Sequence, residues 1–315
     1  MHRKAFVTRV SQALTAYRIC AKAEGKSPRT IGWVTSSVGY FGRFLGGDPD
    51  ISSITAEDLR RFIITLQNTD KFRDHPFNKP QGTKISALSI QTYCRGIRAF
   101  FGHLLREELI EANPVANVKM PKAPTKVVPT FSEQEIQRLL ASPNRRTDTG
   151  FRDYALMLTY LDTSARLSEL ANMAVGDVDL ENGYIRVLGK NKRERYLPIG
   201  QKVAKALLKY DLNHRPQPMG NDRFWLTRDG LPLMPNRIEK IIGTHGKKAG
   251  LSSCYPHKLR HTSSVMYLRN GGDPFTLQKK LGHSSLQMTR HYCNLVDSDV
   301  RKAHLKFGVA DRLKI

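Results

Sequence analysis

Four prolines within the stretch PVANVKMPKAPTKVVPT, residues 114–130, constrain this chain more than any other feature. Proline fixes its own φ, donates no backbone hydrogen bond and biases the preceding residue away from helix, so no regular helix or central strand runs through such a stretch. The 315 residues therefore read as two parts, with a boundary near residue 120 and an interdomain linker across it. Each part is long enough to bury a core of its own.

The two parts carry different patterns. From Arg3 to about Pro114 the apolar residues recur at helical spacing. Ser27 and Pro28 open one helix as cap and first residue, with Gly46 and Gly47 ending it. Thr55 and Asp58, three apart, form a capping-box pattern, and SALSIQTYCRGIRAFFGHLLREELI is a third long amphipathic segment. This part is predicted to be an all-helical bundle. The second part begins with another helical pattern, FSEQEIQRLLAS, but between Gly183 and Gly200 the period falls to about two. YIRVL, a tip GKNKRE and RYLPI predict a β-hairpin inside an otherwise helical domain. Helical patterns resume in PHKLRHTSSVMYLRNGG, DPFTLQKKLGH and SSLQMTRHY. The predicted class is mainly α with a small β-hairpin or sheet.

Lys and Arg number 51 against 28 Asp and Glu, a formal net charge of +23. The basic residues are spread through the folded segments, which disfavours a disordered basic arm and points to nucleic acid as the partner. Four cysteines, Cys20, Cys94, Cys254 and Cys293, stand far apart with no paired zinc spacing, as expected of a protein in a reducing cytoplasm. No run resembles a secretory signal or a membrane span, so a soluble, cytoplasmic, nucleoid-associated protein without membrane partners is expected.

Four short segments carry residues suited to chemistry. In TSARLSEL (163–170), Thr163 and Ser164 are good helix caps, which would place Arg166 near a helix N-terminus, already favourable to an anion. Taken alone, Arg166 is an ordinary surface arginine. In PHKLRH (256–261), Pro256 suits a first helical turn and puts His257 and Arg260 on one face. His257 and His261 also have the spacing of a zinc helix, but Lys258 stands where a zincin needs its glutamate and no third ligand is evident. Lys190 lies at the hairpin tip, where a lysine is usually only solvated. In LGHSSLQMTRHYCNL (281–295), His283 follows a helix stop and Tyr292 comes nine residues later. Most tyrosines in such a chain are packing residues; the set, not the single residue, singles this one out.

Two arginines, two histidines, a lysine and a tyrosine meet the needs of metal-free phosphodiester transesterification. Fixed guanidinium charges neutralise the phosphate where other enzymes use metal ions. Tyrosine, with a pKa of roughly 10, is an oxygen nucleophile that later becomes a tolerable leaving group. The deoxyribose hydroxyl is far more basic and needs a general acid, worth about 10² to 10⁴ in rate.

With these residues together, the chain resembles the tyrosine recombinases, the family of phage integrases and Xer-type recombinases, over nearly its whole length. The family pattern of Arg, hairpin Lys, H-x-x-R, a later His or Trp, and a nucleophilic Tyr is matched in order by Arg166, Lys190, His257 and Arg260, His283 and Tyr292. Two departures stand out. The usual Thr-Gly before the first arginine, followed by an apolar residue, is replaced by Ser164 and Ala165, both small, so a similar turn is expected. The hairpin tip lacks a second glycine and offers Lys192 as an alternative to Lys190.

The resemblance implies a mechanism and an assembly. Tyr292 would attack the scissile phosphate to form a 3′-phosphotyrosyl link, with Lys190 as acid, His257 as base or hydrogen-bond partner, Arg166 and Arg260 on the non-bridging oxygens and His283 as a further donor. Glu169 would buttress the arginine or His257. No metal, ATP or other cofactor is implied. Residues 1–120 would be the helical core-binding domain and 121–315 the catalytic domain, closing as a C-shaped clamp around double-stranded DNA with inverted-repeat core sites. A separate arm-binding domain is not expected. The tail, about 297–315, would dock into a neighbouring protomer within a homotetramer, and accessory DNA-bending or directionality factors are compatible with this scheme. Two rival readings share the residues: a type IB topoisomerase that relaxes DNA, and a catalytically silent DNA-binding protein of the same fold.

Overall fold

The computed structural model describes residues 9–71, 82–123, 129–189, 194–283 and 285–293, together with His304 and Gly308. Lys190, Lys192 and, but for those two residues, the tail from 297 to 315 lie outside the described residues. The chain forms two compact units, Met1–Lys126 and Val127–Ile315.

Among its described residues the first unit carries the helices α1 (Val10–Ala23), α2 (Pro28–Phe44), α3 (Ala56–Asn68) and α4 (Ala87–Arg106). Their starts follow from local chemistry. The Ser27 hydroxyl accepts the Thr30 amide at 3.1 Å, and Pro28 takes the first helical position, where a missing N–H leaves nothing unsatisfied. Thr55 and Asp58 satisfy each other reciprocally: the Asp58 carboxylate accepts the Thr55 amide at 2.9 Å, and the Thr55 hydroxyl accepts the Asp58 amide at 3.3 Å. The apolar faces meet over Phe41, Phe62, Phe100 and Phe101, each at most 1 % exposed. α2 and α4 approach closely at Gly96, where a Cβ would lie 2.5 Å from the Ser37 hydroxyl oxygen. The first half of the proline-rich stretch belongs to this unit: Val115 and Val118 are buried in its core, and Gln91 donates to the Pro121 carbonyl at 2.8 Å. α4 has already ended at Arg106, before the first of these prolines, and the two valines anchor the stretch to the core.

The second unit comprises α5 (Glu133–Ala141), α6 (Asp148–Thr163), α7 (Leu167–Ala171), β1 (Val178–Asp179), β2 (Tyr184–Leu188), β3 (Glu194–Pro198), α8 (Gln201–Asn213), α9 (Pro235–Lys248), α10 (Pro256–Arg269), α11 (Pro274–Leu281) and α12 (Leu286–Cys293). The strands form an antiparallel sheet in the order β1-β2-β3, with Tyr184 opposite Pro198 and Leu188 opposite Glu194. Strand alternation places Ile185, Val187 and Leu197 in the core. The short β1 extends the expected hairpin by one strand.

α6 is buried around most of its circumference, which marks it as the central helix. Its polar residues are paired. Asp153 accepts two hydrogen bonds from Arg152, at 2.9 and 2.6 Å, and also meets His245 Nε2 at 3.2 Å. His245 Nδ1 in turn lies 3.0 Å from the Ser142 hydroxyl, so one buried network ties α6 to α9 and to the end of α5.

Candidate active site

α6 ends at Thr163, whose hydroxyl bonds back to the Thr159 carbonyl at 2.6 Å. Ser164 follows in the left-handed conformation, φ 52°, and the chain turns into α7 with Arg166 at its N-cap. Thr163 and Ser164 thus close one helix and do not cap the next, a correction to the sequence reading. The capping of α7 is done from inside the helix: the Glu169 carboxylate accepts the Arg166 amide at 2.7 Å. The turn itself is tight, as the small residues lead one to expect, and the Ser164 hydroxyl is tied to that of Ser263 at 2.7 Å.

Glu169 is the hub of the site. Its side chain is 3 % exposed and accepts from the Arg166 guanidinium at 2.9 Å and from both terminal nitrogens of Arg195, at 3.0 and 2.6 Å. Of the two groups it was expected to support, the arginine is the one in contact. The other Arg166 nitrogen donates to the Gly282 carbonyl at 2.9 Å, across 116 residues of sequence. Gly282 ends α11 with φ 63°, a left-handed position that glycine adopts without the strain a Cβ brings.

Arg260, on the second turn of α10, is 6 % exposed. Its fork donates to the Ser164 carbonyl and, at 2.8 Å, to the Leu281 carbonyl. Burial and the neighbouring Arg166 charge lower its pKa, yet a guanidinium starts so high that it stays charged. His283 follows the α11 stop; its Nδ1 lies 3.0 Å from the Thr289 hydroxyl of α12. Burial, then the charges of Arg260, Arg166 and Arg195, pull the His283 pKa down to about 4, so its ring is neutral at physiological pH.

Tyr292, on α12, is 6 % exposed. Its ring stacks beside His283, with centroids 6.2 Å apart and planes at 14°, and meets His261 at 5.1 Å. Arg166, Arg260, His283 and Tyr292, from four separated segments, therefore share one cluster with Glu169. His257 sits exposed in the first turn of α10, and among the described residues no hydrogen bond or ring contact links it to the others. His257 and His261 differ sharply in burial, and His261 packs on the tyrosine ring, which leaves the zinc spacing unused. Among the described residues one group could hold a metal ion, Glu24, His103 and Glu107 in the first unit, and Glu24 is already paired with Lys26 at 2.5 Å.

Sequence reasoning missed Arg195 and His261. Arg195 had a legible signal: it lies two residues before the buried Leu197 on β3, so strand alternation turns it inward with the core residues. A charged residue in phase with a buried face calls for a partner. For His261 the only sign was its helical spacing, which suggested metal instead of packing.

Residues 129–298, more than half of the chain, match the phage integrase family. The chain belongs to that family. It is 33% identical over 217 residues to tyrosine recombinase XerC of Pelotomaculum thermopropionicum, covering 66% of this chain and 71% of the relative. With XerC of Bacillus pumilus it shares 29% identity over 288 residues, 89% of this chain and 90% of the relative. Among solved structures, the Tn1549 transposon integrase in complex with transposon right end DNA aligns with a TM-score of 0.74 at 19% identity, covering 93% of this chain and 98% of that one. The XerH site-specific recombinase bound to a palindromic difH substrate aligns with a TM-score of 0.71, also at 19% identity, over 93% and 83%. These likenesses show a shared fold; the XerC relatives carry the activity. The chain is a tyrosine site-specific recombinase acting on DNA. In the recombinase, no described helix is long and apolar enough to cross a membrane.

Proposed function

We propose that the recombinase cuts and rejoins DNA through Tyr292. The tyrosine oxygen attacks the scissile phosphorus, giving up its proton to His257 or to a group hydrogen-bonded through it, and forms a 3′-phosphotyrosyl ester. The P–O5′ bond breaks, and Lys190 donates the proton that the departing 5′-oxygen needs; Lys192 is the alternative donor. Arg166 and Arg260 hold the non-bridging oxygens, and the neutral His283 contributes a further hydrogen bond. A 5′-hydroxyl from the partner strand then attacks the phosphotyrosine and releases the tyrosine, so one phosphodiester is exchanged for another without ATP or metal.

The observation that carries this reading is the convergence of Arg166, Arg260, His283 and Tyr292 around the buried Glu169. The forks are held in place by backbone carbonyls before any substrate arrives, as electrostatic stabilisation of a pentavalent phosphorane requires. On the same reading residues 1–120 form the core-binding domain and 121–315 the catalytic domain, gripping inverted-repeat core sites. Four protomers act together through exchange of the tail from about 297. A lambda integrase tetramer bound to a Holliday junction, aligned at a TM-score of 0.67 and 18% identity, is a precedent in a protein of this fold.

The test is covalent trapping. A nicked suicide site taken from DNA neighbouring the gene is incubated with the protein in EDTA, quenched with detergent and mapped by mass spectrometry. A DNA-linked peptide at Tyr292, absent from Tyr292→Phe, is expected. No adduct on DNA that is demonstrably bound would overturn the assignment.

A further inference from the structure

The Arg166 fork, if it is to bind phosphate, faces an electrostatic difficulty. Its nearest charged neighbour is a carboxylate, Glu169, 2.9 Å away and nearly sealed from water, where screening is weak. Such a carboxylate would cancel most of the field that Arg166 offers to an anion. The two residues alone form a neutral pair, and Arg260 alone would supply the site's net charge among the described residues.

Arg195 changes that count. Its two terminal nitrogens clamp the two Glu169 oxygens at 3.0 and 2.6 Å, in the bidentate geometry that makes guanidinium–carboxylate pairs strong. Its side chain is only 15 % exposed, so its charge is little screened. Its influence extends through the cluster, since it is among the charges that depress His283. It also crowds the stop of α11: a Cβ on Gly282 would come within 2.3 Å of Arg195 Nη1 and 3.3 Å of Arg166 Nη1.

We infer that Arg195 is a positioning residue of the strand-transfer reaction, which neutralises Glu169 so that Arg166 and Arg260 together present two positive charges to the phosphate. Arg195 does not itself touch the reacting atoms; it acts through Glu169. Three guanidinium groups and one carboxylate leave a net charge of two, matching the dianionic phosphorane that forms from a singly charged phosphodiester. Loss of Arg195 would leave a single net positive charge against that dianion. This inference rests on the catalytic reading above.

The experiment measures single-turnover cleavage of the nicked suicide site at saturating protein, with DNA affinity measured separately. Arg195→Ala is expected to slow cleavage roughly 10²-fold, on the scale of removing one electrostatic stabiliser from an active site, with affinity nearly unchanged. Arg195→Lys keeps the charge and recovers part of the rate. The decisive variant is the double change Arg195→Ala with Glu169→Gln, which restores the net charge of two without restoring the ion pair. It is expected to cleave at least tenfold faster than Arg195→Ala alone, roughly half of that loss on a logarithmic scale. If Arg195 only tethers β3 to α7, the double variant leaves the tether broken and cleaves no faster than Arg195→Ala, which overturns the inference. Wild-type cleavage by Arg195→Ala overturns it as well. A wild-type protein that forms no adduct at Tyr292 would instead refute the underlying catalytic reading, so the two failures are distinct.

Discussion

Gly282→Ala separates backbone strain from disruption of the arginine cluster. Gly282 has φ 63° and ψ 44°, and an alanine held there pays about 1–2 kcal/mol for the left-handed conformation. The added Cβ would also lie 2.3 Å from Arg195 Nη1 and 3.1 Å from its Cζ, against a comfortable contact of about 3.5–4.0 Å. A free surface arginine would swing aside at little cost. Arg195 is 15 % exposed and doubly bonded to Glu169, so moving its tip by more than about 1 Å breaks charge-assisted hydrogen bonds worth about 1.5–3 kcal/mol. The total expected destabilisation is roughly 2.5–5 kcal/mol, less whatever the cluster recovers by relaxing.

Gly250→Ala is the control. Gly250 lies in the same unit with φ 70° and nothing within 4 Å of its would-be Cβ, so only the backbone strain of about 1–2 kcal/mol applies. Urea unfolding read at Trp225, with Trp33 replaced by Phe, reports on the second unit alone. Gly282→Ala should lose more stability than Gly250→Ala. It should also cleave the suicide site about 10²-fold more slowly under conditions where both variants are folded, since a displacement of that size in a catalytic cluster has such an effect. Equal stability losses with equal cleavage rates would refute the reasoning that Gly282 is required by the guanidinium groups beside it.

Two further expectations concern solution conditions. DNA affinity should fall along a straight line in a log–log plot against salt, by about 10³ to 10⁵ between 50 and 200 mM if some 6–10 phosphates are neutralised, and a flat titration would exclude an extended phosphate contact. His283 supplies a pH signature: its folded pKa of about 4 lies below the ordinary value of 6.5, so between those values the unfolded chain binds the extra proton. Its contribution to stability is therefore intact above about pH 6.5 and lost progressively as pH falls toward 4; urea midpoints of the second unit in His283→Gln should decline less over that window than those of the wild-type protein.

Much of this architecture was legible because it rests on local chemistry. The Ser27–Pro28 start, the Thr55–Asp58 box and the Pro256 start depend on single residues or on residues no more than three apart, and the structure forms all three helices there. The hairpin was legible because a change of period needs no knowledge of distant partners. What escaped was long-range. Thr163 and Ser164 looked like N-caps because their composition suits either end of a helix; only the length of α6 decides that they close it. Glu169 could be assigned to the arginine and not to His257 only once the fold had set their distances. Arg195 is 26 residues from the carboxylate it clamps, and no local pattern states that pairing.

The two arginines of the cluster are held by groups that do not consume their charge. Arg260 leans on the carbonyl of Ser164, which closes α6, and on that of Leu281, the last residue of α11; Arg166 leans on the carbonyl of Gly282 just beyond. Helix C-termini carry unsatisfied carbonyls and a partial negative charge, so they hold a cation well while placing no full opposing charge beside it. The left-handed residues Ser164 and Gly282 let the chain turn sharply after each helix and bring those carbonyls to the arginines. A guanidinium has five N–H donors, and the carbonyls take two from Arg260 and one from Arg166. A phosphate can therefore engage the remaining donors without dismantling the support. Glu169, the one full negative charge among these contacts, is also the one group that needs a cation of its own, and β3 supplies it.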